Sequence, residues 1–220
     1  THSIVDAVAF AITTPLGTII HTGDFKLDQT PIDGRGSDLT RLAEWGERGV
    51  LLLMSDSTNV ERSGATPSER TLTRPIEDLM SHAQGKVVVA TFASHVHRIR
   101  QVIDLSLTQG RTVGVVGRSL VGNIEIARDT GHLQFPTDAF LEVSKISDRD
   151  PRTVTLLATG SQGEPMSALS RIAVGDHPQV KLRPGDVVIL SSRVIPGNER
   201  AISRLIDHLY RRGAEVYYEA

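Results

Sequence analysis

From residue 69 onward, short and continuously apolar segments alternate with amphipathic helical segments, and this alternation constrains the fold more than any other feature. A strand that is apolar at every position needs cover on both faces, and helices between successive strands supply that cover. The predicted strands are 87–92, 112–116, 154–159, 186–191 and 215–218, and the predicted helices are 70–83, 95–109, 119–131, 164–174 and 198–212. The pattern predicts an α/β fold of a Rossmann-like kind, with a parallel sheet flanked by helices.

The residues before this region follow a different pattern, with apolar segments but little helical periodicity. The predicted elements are a strand over 7–12, a strand over 18–22, a helix over 38–48 and a strand over 50–55. The turn residues Thr14-Pro15-Leu16-Gly17 between the first two strands favour an antiparallel hairpin. Because this part is too small to close its own core, we expect two domains, residues 1–68 and 69–220.

Composition excludes several classes of protein. The chain has 220 residues, no cysteine and a formal net charge of -2. The lack of cysteine excludes disulfides and thiolate zinc sites, so any metal must be bound by histidine and carboxylate. The weak net charge provides no overall basic field, so a polyanionic ligand would need local basic groups. No membrane-length apolar run and no secretory signal are visible, so we expect a cytoplasmic protein that does not bind membranes.

Small polar residues follow most of the predicted strands. Ligands of open parallel sheets collect beyond the carboxyl ends of the strands, and small residues before a helix leave backbone N–H groups free to bind an anion. The segments are Asp56-Ser57-Thr58-Asn59, Ser94-His95-Val96-His97, Gly117-Arg118-Ser119, Gly160-Ser161-Gln162-Gly163-Glu164 and Ser191-Ser192-Arg193. Together they predict a polar rim for a phosphorylated ligand, although turns and helix caps favour the same residue types in any protein. None of them matches a dinucleotide-binding or Walker motif.

Arginines accompany this rim. They are Arg98, Arg100, Arg111, Arg118, Arg128, Arg193, Arg200 and Arg204. A guanidinium matches the geometry of a phosphate, so these are candidate phosphate contacts, and a solvated helix face is the alternative for each one. Aromatic residues make up only 4% of the chain, so base stacking cannot be the main source of any nucleic-acid affinity.

A histidine and an aspartate occupy the two outer ends of the predicted hairpin. His2 precedes the first strand and Asp24 follows the second, so an antiparallel hairpin would bring them together. A neutral imidazole beside a carboxylate can bind a divalent metal, and the carboxylate could bridge two. The alternative is a surface histidine and an ordinary turn aspartate, and spacing alone does not decide between them. His21, within the second strand, is interpreted as supporting or structural.

These segments resemble the motifs of a known family. Thr1-His2-Ser3-Ile4-Val5-Asp6 and His21-Thr22-Gly23-Asp24-Phe25-Lys26-Leu27-Asp28 resemble the third and fourth metal motifs of metallo-β-lactamase-fold hydrolases. Ser55-Asp56-Ser57-Thr58-Asn59 and Thr91-Phe92-Ala93-Ser94-His95-Val96-His97-Arg98 resemble motifs A and B of the β-CASP branch. With Ala158-Thr159-Gly160-Ser161-Gln162-Gly163-Glu164-Pro165 and Ile195-Pro196-Gly197-Asn198-Glu199, the pattern is similar to bacterial ribonuclease J along essentially the whole chain.

The resemblance implies part of a metallo-β-lactamase αββα domain in residues 1–68 and a β-CASP domain in residues 69–220. It implies that His2 and Asp24 are metal ligands and that Asp56 supports the metal site. It implies a catalytic role for His97 near the scissile phosphate, while His95 points elsewhere. The residues expected to contact RNA or its phosphates are Ser57, Arg118, Ser119, Ser161 and Gln162.

The activity implied is metal-dependent hydrolysis of RNA phosphodiester bonds, exonucleolytic from the 5′ end, endonucleolytic or both. The cofactor expected is a pair of Zn²⁺ ions, with Mn²⁺ or Mg²⁺ as alternatives, and the assembly expected is a homodimer or homotetramer. Because the family's main histidine motif and its motif C are absent from the sequence, we expect an internal piece of a longer enzyme, inactive alone. The alternatives are a non-catalytic RNA-binding protein of the same fold and a hydrolase of small esters.

Overall fold

The computed structural model describes residues 2–58, 60–61 and 63–218, so Thr1 and Asn59 of the family motifs lie outside the described residues. The chain divides into two compact units, residues 1–73 and 74–220. The predicted domain boundary, at residues 68 and 69, lies close to the boundary of these units. No helix in the described part of the chain is long and apolar enough to span a membrane.

The first unit contains a three-stranded sheet and one helix. Its elements are β1 (Phe10–Thr14), β2 (Gly17–His21), α1 (Leu39–Arg48), β3 (Leu52–Met54) and a 3₁₀ turn at Glu69–Leu72. The strand order is β1-β2-β3, with β1 antiparallel and β3 parallel to β2. Of the described apolar side chains in this unit, only Ile20 and Pro31 are buried, which agrees with a unit too small to close its own core.

The first strand begins later than the sequence predicts. Thr14 pairs with Gly17 across the turn, and Phe10 pairs with His21 at the far end of the hairpin. Because the turn fixes this register, the first strand runs from Phe10 to Thr14 and does not start at residue 7. Residues 2–9 therefore lie outside the sheet. The hairpin pairing alone does not bring His2 to Asp24, which corrects the geometric argument for that pair.

The second unit is a parallel sheet between helices, as predicted. Its strands are β4 (Val87–Ala90), β5 (Thr112–Val116), β6 (Phe140–Leu141), β7 (Val154–Ala158), β8 (Val187–Leu190) and β9 (Glu215–Tyr218). Its helices are α2 (Thr73–His82), α3 (Val96–Thr108), α4 (Arg118–Asp129), α5 (Ala168–Val174) and α6 (Glu199–Arg211). The strand order is β6-β5-β7-β4-β8-β9, and every pairing is parallel. Every residue of β4, β7 and β8 is buried, so the continuous apolar runs reflect cover on both faces.

Buried charges hold the amino ends of these strands. The Arg111 guanidinium, just before β5, donates to the carbonyls of Met80, Ala83, Gly85 and Val154 at 3.2–3.3 Å. Burial lowers the pKa of this arginine. Four carbonyl acceptors stabilise its charge and fix its position, so Arg111 is a structural residue. The expectation that it contacts phosphate is wrong.

An ion pair lies at the same edge of the sheet. Lys86, before β4, places Nζ 2.8 Å from Asp186 Oδ2, before β8. The Asp186 carboxylate also accepts from the backbone N–H groups of Lys86 and Arg183, each at 2.8 Å. A buried ion pair is tolerated when further hydrogen bonds satisfy its oxygens, as they do here.

Candidate nucleic-acid interface at the carboxyl edge of the sheet

The carboxyl ends of four strands lie level with one another. Ala90 of β4 is paired with Ala158 of β7 and with Leu190 of β8, and Val116 of β5 is paired with Ala158. The loops that follow these strands therefore emerge at one edge, which we call the carboxyl edge. They comprise residues 91–95, 117, 159–167 and 191–198. This is the edge where the sequence predicts a polar rim.

The two histidines after β4 have different environments. His95 is buried and caps α3, because its Nδ1 accepts a hydrogen bond from Arg98 N at 3.2 Å. His97 lies in the first turn of α3 and is only partly buried. Since His95 supplies the cap, capping does not explain His97. The catalytic role of His97 stays a prediction.

A buried arginine joins the loop after β4 to the loop after β8. The Arg98 guanidinium, 2% exposed, donates through Nη1 to Ser191 Oγ. Thr91 Oγ1 donates to Ser191 O at 3.5 Å. Arg98 thus connects two loops of the carboxyl edge. It is too buried to be a surface phosphate contact, which corrects the expectation that it is one.

Arg118 and Ser119 are exposed in the first turn of α4. The cap residue Gly117 has φ of 122° and no side chain to occupy the first backbone N–H groups of the helix. A Cβ at Gly117 would lie 2.5 Å from Thr159 Oγ1, so both the backbone angle and the space require glycine. Helix N–H groups that no cap side chain occupies, beside a guanidinium, suit a phosphate. The predicted phosphate contacts of Arg118 and Ser119 fit this geometry and stay predictions.

Ser161 and Gln162 are buried, 3% and 4% exposed. Gln162 Nε2 donates to Ser192 Oγ at 3.0 Å and to Arg193 O at 2.8 Å. Gln162 Oε1 accepts from Ile195 N at 2.9 Å and from Asn198 Nδ2 at 3.3 Å. Because every group of its amide is hydrogen-bonded within the protein, Gln162 links two loops, which corrects the prediction that it contacts RNA directly. The RNA contact of Ser161 stays a prediction.

Asp56 of the first unit is an ionised carboxylate held by its neighbours. Its Oδ1 accepts from Thr58 N at 2.9 Å and from Thr58 Oγ1 at 2.7 Å, and its Oδ2 accepts from Phe25 N at 3.4 Å. The two hydrogen bonds from Thr58 are the main reason that the pKa of Asp56 is lowered, and an electrostatic contribution from His2 is smaller. Thr22 Oγ1 accepts from Asp56 N at 3.1 Å. Asp56 is thus hydrogen-bonded to Thr22 and Phe25, which flank Asp24 in the chain. Its role in supporting a metal site stays a prediction.

The candidate metal ligands do not by themselves form a metal centre. His2 is partly buried and Asp24 is exposed. Imidazole and carboxylate are suitable ligands, but the described residues contain no group of three or more histidine, cysteine, aspartate or glutamate side chains that could bind one ion. Tetrahedral or bridged sites need more ligands than this pair provides. His21 accepts a hydrogen bond from Gly23 N at 3.1 Å through Nδ1 and so stabilises the turn before Asp24. Ser57, beside Asp56, is exposed.

The family model described as ribonuclease J, β-CASP domain, matches residues 84–209. The chain belongs to the ribonuclease J family. The match runs from just before β4 to near the end of α6, so it contains the whole carboxyl edge, including His97, Arg118 and Gln162.

Ribonuclease J proteins of several bacteria are similar along the whole chain. The protein of Helicobacter pylori strain J99 is 46% identical over 219 residues, covering 100% of this chain and 32% of its own length. That of Thermus thermophilus is 49% identical over 218 residues, covering 99% and 38%. That of Mycobacterium tuberculosis strain H37Rv is 46% identical over 219 residues, covering 100% and 39%. The chain therefore spans about a third of the length of the curated relatives it matches.

Sequence reasoning misses the β-CASP residues that connect the loops. Ser191 and Ser192 are recognised as polar rim residues and Asn198 as part of a family motif, but their hydrogen bonds to Arg98 and Gln162 are visible only in three dimensions. One signal was available, because an arginine among the apolar positions of an amphipathic helix is typical of a buried and bonded group.

Proposed function

We propose that the protein is a metal-dependent ribonuclease that hydrolyses phosphodiester bonds in RNA. The observation that carries this proposal is the similarity of the entire chain, at 45–49% identity, to proteins named ribonuclease J. The carboxyl edge supports it, because exposed Arg118 and Ser119 and the first turn of α4 are suited to bind phosphate. A non-catalytic RNA-binding role and the hydrolysis of small esters are less well supported, since neither is suggested by the relatives.

The metal centre of this proposal includes His2 and Asp24. We propose that they bind divalent ions, a Zn²⁺ pair with Mn²⁺ or Mg²⁺ as alternatives, together with ligands from outside the 220 residues. Such ions supply an activated hydroxide and neutralise charge on the leaving oxygen. In this proposal Asp56 supports the metal site from motif A, since a carboxylate hydrogen-bonded to a ligating histidine fixes its ring and its tautomer.

The second unit would bind and orient the RNA strand. In this proposal Arg118 and Ser119 contact backbone phosphates, Ser57 contacts a phosphate from the first unit, and His97 acts at or near the scissile phosphate. His97 contributes chiefly in the transition state if its hydrogen bond strengthens as charge develops on the phosphate oxygens. Contact between RNA and Ser161 requires the loop 160–164 to open, since the serine is buried.

The cellular setting and the assembly are a further part of the proposal. We propose a cytoplasmic enzyme of RNA processing and decay, acting as a homodimer or homotetramer, with exonucleolytic cleavage from the 5′ end, endonucleolytic cleavage, or both.

The test uses the full-length protein of which we propose these residues to be a part. Single-stranded RNA with a 5′ monophosphate is incubated with the metal-free protein and with added Zn²⁺, Mn²⁺ or Mg²⁺. Cleavage that depends on the metal and is abolished by Asp24→Asn supports the proposal. Binding without cleavage under every metal would favour the non-catalytic alternative, and turnover of a small ester without RNA cleavage would favour the esterase.

A further inference from the structure

Gln162 connects two loops that leave strands on either side of β4. Strands β7 and β8 are not neighbours in the sheet, because β4 lies between them. A side chain that joins the loop after β7 to the loop after β8 therefore crosses the carboxyl end of β4. That strand leads directly into the segment with His95 and His97.

The hydrogen bonding of this amide is complete. An amide offers two N–H donors and a carbonyl oxygen with two lone pairs. The donors bind Ser192 Oγ and Arg193 O, and the oxygen accepts from Ile195 N and Asn198 Nδ2. All four partners lie within one segment of seven residues, 192–198, and the side chain is only 4% exposed. Gln162 is therefore satisfied by this segment and offers no group to a ligand.

The segment held by Gln162 has little regular backbone structure of its own. Residues 191–198, all of them described, form neither helix nor strand; their backbone is bonded at the start, from Ser191 N to Ala90 O at 2.8 Å, and at the end, from Asn198 N to Ile195 O at 3.0 Å. The shortest of the four hydrogen bonds, at 2.8 Å, holds the backbone carbonyl of Arg193. The side chain of Arg193 is exposed at the carboxyl edge. Fixing a backbone carbonyl fixes the point from which the side chain extends.

We propose that Gln162 is a positioning residue that holds Arg193 in place for contact with an RNA phosphate. The inference rests on the proposed function, since it concerns how the same edge binds RNA. A guanidinium pre-positioned by its backbone loses less conformational freedom on binding a phosphate than one on an unrestrained loop. Gln162 thus acts on RNA through Arg193 without touching the RNA.

The test measures how RNA affinity depends on salt. Full-length protein is titrated with single-stranded RNA in chelator, so that the RNA stays intact, at several salt concentrations. Gln162→Glu keeps the shape of the side chain but removes both N–H donors. We expect Kd to rise roughly tenfold and the slope of log K against log salt to become less steep by about 0.7, the value for one phosphate contact to a single strand. Arg193→Ala should produce the same two changes.

The double variant decides whether the two residues act together. If Gln162 acts through Arg193, then Gln162→Glu added to Arg193→Ala causes no further loss. Gln134→Glu, the same chemical change at an exposed position, should leave Kd and slope at the parent values. If Gln162→Glu fails to fold, Ser192→Ala, which removes one of the four bonds, should change the slope in the same direction.

Three results would overturn the inference: an unchanged slope in Gln162→Glu, independent losses that multiply in the double variant, or an effect of Gln134→Glu as large as that of Gln162→Glu. If the unsubstituted protein itself does not bind RNA, the proposed function fails and this inference fails with it. If the unsubstituted protein binds RNA but the variants do not change affinity and slope as expected, only the inference fails and the proposed function stands.

Discussion

The two edges of the six-stranded sheet use polar residues in opposite ways. At the amino edge, Arg111, Lys86 and Asp186 are at most 5% exposed, and each is bonded to backbone or to an opposite charge. At the carboxyl edge, the loops are held by neutral amide and hydroxyl groups around the buried Arg98, while Arg118 and Arg193 are exposed. Charges at the first edge are buried and used within the protein, whereas the second edge combines one buried arginine, Arg98, with two exposed ones.

This difference shows that residue type alone does not identify a phosphate contact. Arg111 and Arg118 are seven residues apart at opposite ends of β5, and both are arginines beside small polar residues. One is bonded to four carbonyls and the other begins a helix with its side chain exposed. Burial and bonding, which the sequence does not give, distinguish the two arginines.

The largest effect on stability is expected at the amino edge. Asp186→Ala leaves the Lys86 ammonium buried without its carboxylate and removes the acceptor of two backbone N–H groups. We expect a loss of about 3–5 kcal/mol in the free energy of unfolding. Urea denaturation of the full-length protein measures it, with the exposed Asp207→Ala as a control that should cost under about 0.5 kcal/mol. Equal losses in the two variants would contradict a structural role for the amino edge.

The largest effect on catalysis is expected from His97→Ala. If His97 stabilises charge developing at the scissile phosphate, its removal should lower the single-turnover rate about 10²–10³-fold and leave RNA affinity nearly unchanged. His95→Ala should lower the rate much less and reduce stability by about 1 kcal/mol, since it removes the cap of α3. A variant of His97 that cleaves as fast as the parent would remove it from the mechanism.

The two ends of α4 provide a smaller and directly matched comparison. Arg118 begins the helix at the carboxyl edge, and Arg128 lies in its last turn, 5.7 Å over the ring of Phe140. Arg118→Ala should weaken RNA binding roughly tenfold and make the salt slope less steep by about 0.7. Arg128→Ala should change neither quantity. A larger loss of affinity in Arg128→Ala than in Arg118→Ala would contradict RNA binding at the start of α4.

The smallest effect is a pH dependence at the amino edge. Burial lowers the pKa of His177, and the charges of Arg171 and Lys181 contribute. Its Nδ1 accepts from Gln179 N and Val180 N at 3.3 and 3.1 Å. The folded state therefore resists protonation, whereas the unfolded state binds a proton near pH 6.5. Stability should fall as pH drops below about 6.5 toward the lower pKa of the folded state.

His177→Gln removes the titrating group, so its unfolding temperature should change less than that of the parent between pH 7.5 and 5.5. Unfolding temperatures measured at intervals across this range test the point. The same pH dependence in both proteins would assign it to other groups.

Much of the fold can be predicted from the sequence, because the buried strands are dense in apolar residues. Strands β5 and β9 occupy the predicted residues, 112–116 and 215–218. Strand β6, at Phe140–Leu141, is missed, since two residues carry no measurable periodicity. Helix α5 starts at Ala168, four residues later than predicted, because Ser167 caps it through a hydrogen bond from Ser170 N.

The site is harder to predict, because sequence does not distinguish an exposed polar residue from a bonded one. Gln162 lies between glycines in a loop, as an RNA contact would, yet its four partners come from residues at least 30 positions away in the chain. For His2 and Asp24 the difficulty is the pairing register of the hairpin. The turn sets this register, and it leaves residues 2–9 outside the sheet. The hydrogen bonds of Asp56 to the segment that carries Asp24, in contrast, agree with the proximity that the family pattern implies.

Hydrogen–deuterium exchange of the full-length protein, with and without single-stranded RNA in chelator, tests most directly whether the two edges differ in function. RNA should slow exchange in segments 92–98, 117–120, 160–163 and 191–198, which cover much of the carboxyl edge and the first turns of α3 and α4. It should leave segments 84–86, 109–112 and 176–187, at the amino edge, within experimental error of the free protein. Protection of the amino-edge segments, with the carboxyl-edge segments unchanged, would contradict the assignment.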